Sequence, residues 1–276
     1  CPEPERFIGV HFFSPDDRMP LVELIAGEKT SQETIRKAYD YVRQIGKTPI
    51  VVSDSRGFFT SRVFGTFLNE GLALLQEGMA PARIERASDL TGMPVGPLQI
   101  NDEVTMSLNV AVFETHEALD KRLGITNGFP VENAALREIA GNMTELGRIG
   151  RRAGKGFYDY DANGNRTLWD RLYQFARSDK GVALDDAKDR ILYIQAIETL
   201  RCLHEGVLRS EVEANIGSIM GIGFPAYTGG AIQYIRGIGI DAFEARANVL
   251  AETYGDRFRV APAVYDGLRE TTAVAA

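Results

Sequence analysis

Phe7-Ile8-Gly9-Val10-His11-Phe12-Phe13, followed by Ser14-Pro15-Asp16-Asp17 and then by Leu21-Val22-Glu23-Leu24-Ile25, is the stretch on which the reading of this chain turns. β-Branched and aromatic residues on either side of a turn-forming tetrad describe two strands joined by a short loop. Downstream, Thr30-Ser31-Gln32-Glu33 has the form of a helix start capped by Ser31 or Thr30. Ile35, Ala38, Tyr39, Val42 and Ile45 follow at helical spacing, and Gly46 supplies the stop. Thr48-Pro49-Ile50-Val51-Val52 makes a third strand. Strands interleaved with one helix match the tail of an α/β unit rather than a complete sheet. Neither GxGxxG nor a P-loop occurs here, so the segment cannot by itself cradle a pyrophosphate. The chain opens on Cys1 rather than Met and enters a strand almost at once, which implies a piece of a longer protein.

After Asp54 the texture changes. Val63, Phe64, Phe67, Leu68, Leu72 and Leu75 form a helical apolar stripe ending at Glu77-Gly78, and Pro81 suits the first turn of another helix. Further helical patterns cover about 103–122, 131–146, 169–178, 185–205 and 240–254, and only Gly156–Tyr160 reads as strand. The fold class is therefore mainly α, preceded by the α/β segment. Residues 62–78 also align with 190–206 at a constant offset of 128 positions. Arg62/Arg190, Glu70/Glu198, Leu72/Leu200, Leu75/Leu203, Glu77/Glu205 and Gly78/Gly206 are identical. Each copy runs into a Gly/Pro-rich break, Gly92–Pro97 in the first and Gly221–Pro225 with Gly229-Gly230 in the second. This is the pattern of a duplication. Its boundary falls near the turn-rich Asp161-Ala162-Asn163-Gly164-Asn165, giving segments 1–53, 54–165 and 166–276.

Composition narrows the partners. A chain that is 44% hydrophobic and 25% charged is ordinary for a globular protein, and no apolar run approaches the ~18 residues that span a bilayer. A net charge of −7 argues against nucleic acid, whose phosphates demand basic patches. Two cysteines, Cys1 and Cys202, make no disulfide framework and no CxxC metal pair, so a reducing cytoplasm is expected and no metal site is assigned.

Chemistry centres on histidine. His116 lies in a polar helical stretch and His204 near a helix end, both surface positions. His11 sits among large apolar residues, where the alternative is a buried imidazole bonded to backbone. Glu23 tips the reading, because an ionised carboxylate inside Leu21-Val22-Leu24-Ile25 is costly unless paired. Adjacent strands could bring the two together, and a carboxylate on one ring nitrogen sets the tautomer and leaves the other to take a proton. Such a pair would serve a hydrolase or a dehydrogenase equally.

The longer run Phe7–Pro15, continuing through Met19-Pro20-Leu21-Val22-Glu23, resembles the signature of 3-hydroxyacyl-CoA dehydrogenases. Gly46–Val52, Arg56-Gly57-Phe58-Phe59, Pro94-Val95-Gly96-Pro97 and Gly154-Lys155-Gly156-Phe157-Tyr158 continue the resemblance in order. The doubled helical portion, with Gly223-Phe224-Pro225 and Gly229-Gly230, looks like the α-chain of bacterial fatty-acid oxidation multienzymes. The resemblance implies that residues 1–53 are the last strands and helix of a Rossmann-type NAD-binding domain, with two copies of the helical C-terminal domain after it. It implies that His11 takes the 3-hydroxyl proton and that Glu23 orients and charge-balances the imidazole. Ser61 would lie against substrate, where the family usually has Asn, and Ser14 would face the cofactor, where Asn is also common. A hydroxyl is shorter than an amide and lacks its paired donor and acceptor, so Ser61 implies a slow or altered dehydrogenase.

The expected function is thus NAD-dependent oxidation of (S)-3-hydroxyacyl-CoA, with acyl-CoA as substrate. A thiolase subunit, an upstream hydratase domain and self-association are the partners the resemblance suggests. The alternative from another class is a non-catalytic helical module for dimerisation or assembly of a β-oxidation complex. Remaining features keep plain expectations: Arg148, Arg151, Arg152 and Lys155 as a solvated basic loop, Asp102 and Glu103 as caps of a following helix, Trp169 as core. The open edge of the short sheet is expected to invite rearrangement, and the tail 271–276 to fray.

Overall fold

The computed structural model describes residues 1–124, 134–179 and 181–275. The chain forms two compact units, Cys1–Phe64 with Gln195–Ala276, and Gly65–Ile194.

In the first unit the opening segment folds as read. β1 (Gly9–Phe12) pairs antiparallel with β2 (Leu21–Ala26), which pairs parallel with β3 (Thr48–Ser53) after the crossover helix α1 (Gln32–Gln44). All of β2 is buried, while β1 alternates, with Val10 and Phe12 outward and Gly9 and His11 inward. Ser31 caps α1 by accepting the Thr34 N–H at 3.2 Å, and Gly46 takes the left-handed stop at φ 77°. Val22, Leu24, Ala26, Ile35, Val42 and Val51 form the core between helix and sheet.

The expected open sheet is half wrong, for a physical reason. The free edge of β3 is satisfied by distant residues: Ser53 N donates to Val207 O, and Val51 N donates to the Glu213 carboxylate, each at 2.9 Å. The strands accordingly keep their order, and only β1 is left as an open edge. Helix α2 (Thr60–Gln76) begins in this unit, and α7 (Leu184–His204) ends in it. They are joined there by α8 (Glu211–Ile222), α9 (Ala231–Ile238), α10 (Ile240–Tyr254) and α11 (Pro262–Ala275). Gly217 of α8 approaches so closely that an added Cβ would lie 2.7 Å from Phe59 and 2.8 Å from Ile50. Helices α8, α9 and α11 lie outside the expected helical ranges, whereas α10 coincides with its expected range.

The second unit holds the rest of α2 and the start of α7. Between them come α3 (Pro81–Thr91), α4 (Pro97–Val104), α5 (Met106–Leu123) and α6 (Ala134–Glu145), and a hairpin of β4 (Tyr158–Tyr160) and β5 (Arg166–Leu168). The single helix expected over 103–122 is two, because Thr105 at φ 78° ends α4 and caps α5. The helix expected over 169–178 is one short 3₁₀ turn at Leu172–Phe175, preceded by the unanticipated β5. Of the pattern over 131–146, residues 131–133 lie outside the described residues. The tail expected to fray is helical backbone through Ala275, and Ala276 lies outside the described residues. Among the described residues no helix is long and apolar enough to cross a membrane.

Candidate active site

His11 and Glu23 are direct register partners across β1 and β2. Their side chains therefore stand on the same face, and Nδ1 of His11 lies 2.7 Å from Oε2 of Glu23. Glu23 is fully buried, whereas the His11 side chain keeps 33% of its surface exposed. One ring nitrogen is thus engaged while the imidazole remains accessible. Phe13 and Phe58 flank the ring, with centroids at 4.7 and 5.8 Å.

A buried carboxylate needs more than one donor. Glu23 receives them from the first turn of α2: Phe59 N at 3.2 Å and Thr60 N at 3.0 Å reach Oε1, and the Thr60 hydroxyl reaches Oε2 at 2.7 Å. With His11, four donors occupy the acceptor positions an ionised carboxylate offers. The helix also points the positive end of its dipole at the charge. This aim depends on a sharp entry turn in which Gly57 (φ 71°) and Phe58 (φ 49°) are both left-handed. Such a conformation costs a bulky residue free energy, and it lies beside the site. Ser61, the next residue of α2, is exposed, as is Ser14 at the end of β1. Thr60 escaped the sequence reading because its hydroxyl sits at a helix start with no pattern that points to Glu23.

Residues 1–55 match the family model for the NAD binding domain of 3-hydroxyacyl-CoA dehydrogenase, and residues 57–160 match the model for its C-terminal domain. The chain belongs to the 3-hydroxyacyl-CoA dehydrogenase family. Within that family it is 38% identical over 259 residues to the fatty acid oxidation complex subunit alpha of Shewanella putrefaciens, covering 92% of this chain and 35% of that protein. The same subunit of Shewanella frigidimarina is 37% identical over 264 residues, again covering 92% of this chain and 35% of the relative. The chain thus spans roughly a third of the length of these curated relatives. Its fold is like that of 3-hydroxybutyryl-CoA dehydrogenase from Escherichia coli K12, with TM-score 0.75 and 19% identity over 98% of this chain and 72% of the other. It is also like the dehydrogenase part of a multifunctional enzyme of C. elegans, with TM-score 0.65 and 26% identity over 96% of this chain and 60% of the other. NAD is the cofactor of the 3-hydroxyacyl-CoA dehydrogenase family. The residues described here hold no Gly-rich strand–turn–helix, so they do not by themselves form a dinucleotide seat.

Several expectations about residues outside this pair are corrected. Asp102 is not a helix cap. It is fully buried and accepts from Phe157 N at 2.7 Å, Tyr158 N at 2.9 Å and the Tyr160 hydroxyl at 2.9 Å. Burial pushes its pKa up to about 6, against the lowering effect of these three donors. Arg148 is not solvated loop: it is buried, donating to Gly156 O at 2.8 Å and to the Asp159 carboxylate at 2.7 Å. Trp169 is half-buried rather than core, with the Arg148 guanidinium 4.1 Å above its ring. Glu103 pairs with Arg151 at 2.6 Å instead of capping. Among the described residues no cluster of His, Cys, Asp or Glu is arranged to hold a metal.

Proposed function

We propose that this chain carries the catalytic pair and the acyl-CoA side of an NAD-dependent 3-hydroxyacyl-CoA dehydrogenase, which oxidises (S)-3-hydroxyacyl-CoA to 3-oxoacyl-CoA in fatty-acid β-oxidation. The observation that carries this reading is the 2.7 Å contact between His11 Nδ1 and the buried Glu23 carboxylate. A carboxylate accepting from Nδ1–H holds that tautomer, so Nε2 keeps its lone pair and can take the proton of the substrate hydroxyl. As positive charge develops on the ring, Glu23 stabilises it without moving. Ser61 is assigned to the substrate side and Ser14 to the cofactor side, each by its match to the family pattern.

Three segments make up the chain in this reading. Residues 1–53 are the C-terminal remnant of the NAD-binding domain, 54–165 the first copy of the helical domain and 166–276 the second. The two copies share more than sequence. The order α2–α3–α4–α5 recurs as α7–α8–α9–α10, with α3 and α8 both ending on a left-handed glycine, Gly92 and Gly223. Thr105 (φ 78°, ψ 138°) links α4 to α5, and Gly239 (φ 94°, ψ 129°) links α9 to α10 in nearly the same unusual conformation. Buried ion pairs repeat as well: Arg62 holds Glu198 and Glu205, and Arg190 holds Glu70 and Glu77.

Acyl-CoA substrate, a thiolase subunit, an upstream hydratase domain and self-association are the partners this reading assigns. Assembly with other proteins in general is supported by the relatives being subunits of a fatty acid oxidation complex. A reducing cytoplasm fits two free cysteines, Cys1 and Cys202. Ser61 favours one rival, a non-catalytic assembly module. Acetoacetyl-CoA binding measured by calorimetry separates the two. Binding that is lost in His11→Ala and Glu23→Ala is the expected result, and self-association with no CoA binding would establish the rival.

A further inference from the structure

We infer that Thr60 is a positioning residue for the His11–Glu23 pair, its hydroxyl fixing the carboxylate oxygen on which the imidazole is oriented; the functional part of this rests on the dehydrogenase reading above. Three of the four donors to Glu23 come from the start of α2, but they are not equivalent. Phe59 N and Thr60 N are backbone groups and would be present with any residue except proline at these positions. Both reach Oε1, the oxygen that His11 does not touch. The Thr60 hydroxyl is the one side-chain donor of the three, and it reaches Oε2 at 2.7 Å, the same oxygen that lies 2.7 Å from His11 Nδ1.

The terminal torsion of a glutamate is broad and two-fold, so a carboxylate is not held by its own rotamer. Donors on both oxygens hold it. With the hydroxyl removed, Oε2 would keep His11 alone, and the plane of the carboxylate could tilt toward the two backbone N–H groups on Oε1. The Nδ1–H···Oε2 bond would then lose alignment, and with it the preference for the tautomer that leaves Nε2 free.

Thr60 is itself held on its other side. A Cβ added at Gly221 would lie 3.0 Å from the Thr60 methyl and 2.6 Å from Leu21, so α8 passes close against that methyl. A threonine in a helix divides between two side-chain torsions, so its contacts decide which one is occupied. Packing the methyl against α8 therefore turns the hydroxyl toward Glu23. Thr60 is buried, while the adjacent Ser61 is exposed, so a single turn of α2 presents one hydroxyl to the buried carboxylate and the next to the solvent side.

Two substitutions separate hydroxyl from methyl. Thr60→Val keeps the shape and deletes the donor, whereas Thr60→Ser keeps the donor and deletes the methyl. In the full-length gene product, turned over with NAD and a 3-hydroxyacyl-CoA, Thr60→Val is expected to lower kcat about tenfold while KM stays within about twofold, the loss of one hydrogen bond to a charged group. Thr60→Ser is expected to restore most of that turnover. In the 276-residue chain, which has three histidines, the ¹⁵N shifts of the His11 ring report the tautomer directly. They should move toward a mixed population in Thr60→Val and return in Thr60→Ser. Should Thr60→Val not fold, Thr60→Ala compared with Thr60→Ser decides the same question. Unchanged kcat together with unmoved His11 shifts in the donor-less variant overturns the proposal, as does a serine variant as impaired as valine. A wild-type gene product with no 3-hydroxyacyl-CoA oxidation overturns the dehydrogenase reading instead, and the ring shifts still decide the role of Thr60.

Discussion

In the proposed dehydrogenase Ser61 lies on the substrate side, where the resemblance implies Asn, one residue after Thr60, whose hydroxyl reaches Glu23 at 2.7 Å. An amide offers a donor and an acceptor at greater reach than a hydroxyl, and a contact made at the reacting centre acts on the transition state. Ser61→Asn in the full-length gene product is therefore expected to raise kcat for a 3-hydroxyacyl-CoA about tenfold or more. Steady-state turnover checks this, and no gain would remove Ser61 from the substrate site. A second residue, Asp102, sets a pH dependence. Its folded pKa of about 6 lies above the unfolded value near 4, so the folded state binds the extra proton between these values. The contribution of Asp102 is thus most favourable below about pH 4 and is lost as pH rises through about 6, a change on the order of 3 kcal/mol. Urea denaturation of wild type and Asp102→Asn should show their stability difference shifting against wild type across that window. A difference that stays constant from pH 4 to pH 7.5 would contradict the assignment.

At the level of elements, the strands were legible as short β-branched and aromatic runs beside turn residues, and α1 because its apolar residues follow a period of 3.6 between Ser31 and Gly46. The stripe on α2 was legible for the same reason, and so was the match between 62–78 and 190–206. What escaped was the meaning of the charged identities inside that match. Arg62, Arg190, Glu70 and Glu198 are all buried, and each arginine takes its carboxylates from the other of the two matching segments. Charged residues identical between two mostly apolar helices were the available signal. Deleting one partner of a buried pair leaves an uncompensated charge, so Arg190→Met should cost about 3–5 kcal/mol. Thermal unfolding is the measurement, and a variant melting with wild type would mean that Glu70 is not paired as described. Asp102 and Arg148 escaped for a different reason: most of their partners are backbone groups of Gly156, Phe157 and Tyr158, some 55 positions away for Asp102 and with no side-chain pattern to reveal them.

For the molecule as a whole, residues 1–55 match the family's NAD binding domain model but hold no Gly-rich turn of the kind that seats a pyrophosphate. The 276 residues by themselves are therefore expected to bind NAD weakly or not at all and to turn over negligibly. Calorimetry with NAD tests this, and tight saturable binding would show that the domain reading is wrong. On the proposed function these residues are expected to bind acyl-CoA nonetheless, so the two ligands should separate in one titration series.

The sequence by itself determined the family, the α/β opening, the mainly helical remainder and the two residues at the centre, because each of these is written in local period or in a contiguous motif. It did not determine that His11 and Glu23 face one another, since that depends on the strand register set by the loop between them. Nor did it determine what makes Glu23 tolerable in a buried strand. Three of its four donors come from residues 59 and 60, brought there by the left-handed turn at Gly57 and Phe58, and α8 closes over them from more than 150 positions along the chain. Desolvating a charge demands donors from wherever the chain can supply them, and only the tertiary structure decides where that is.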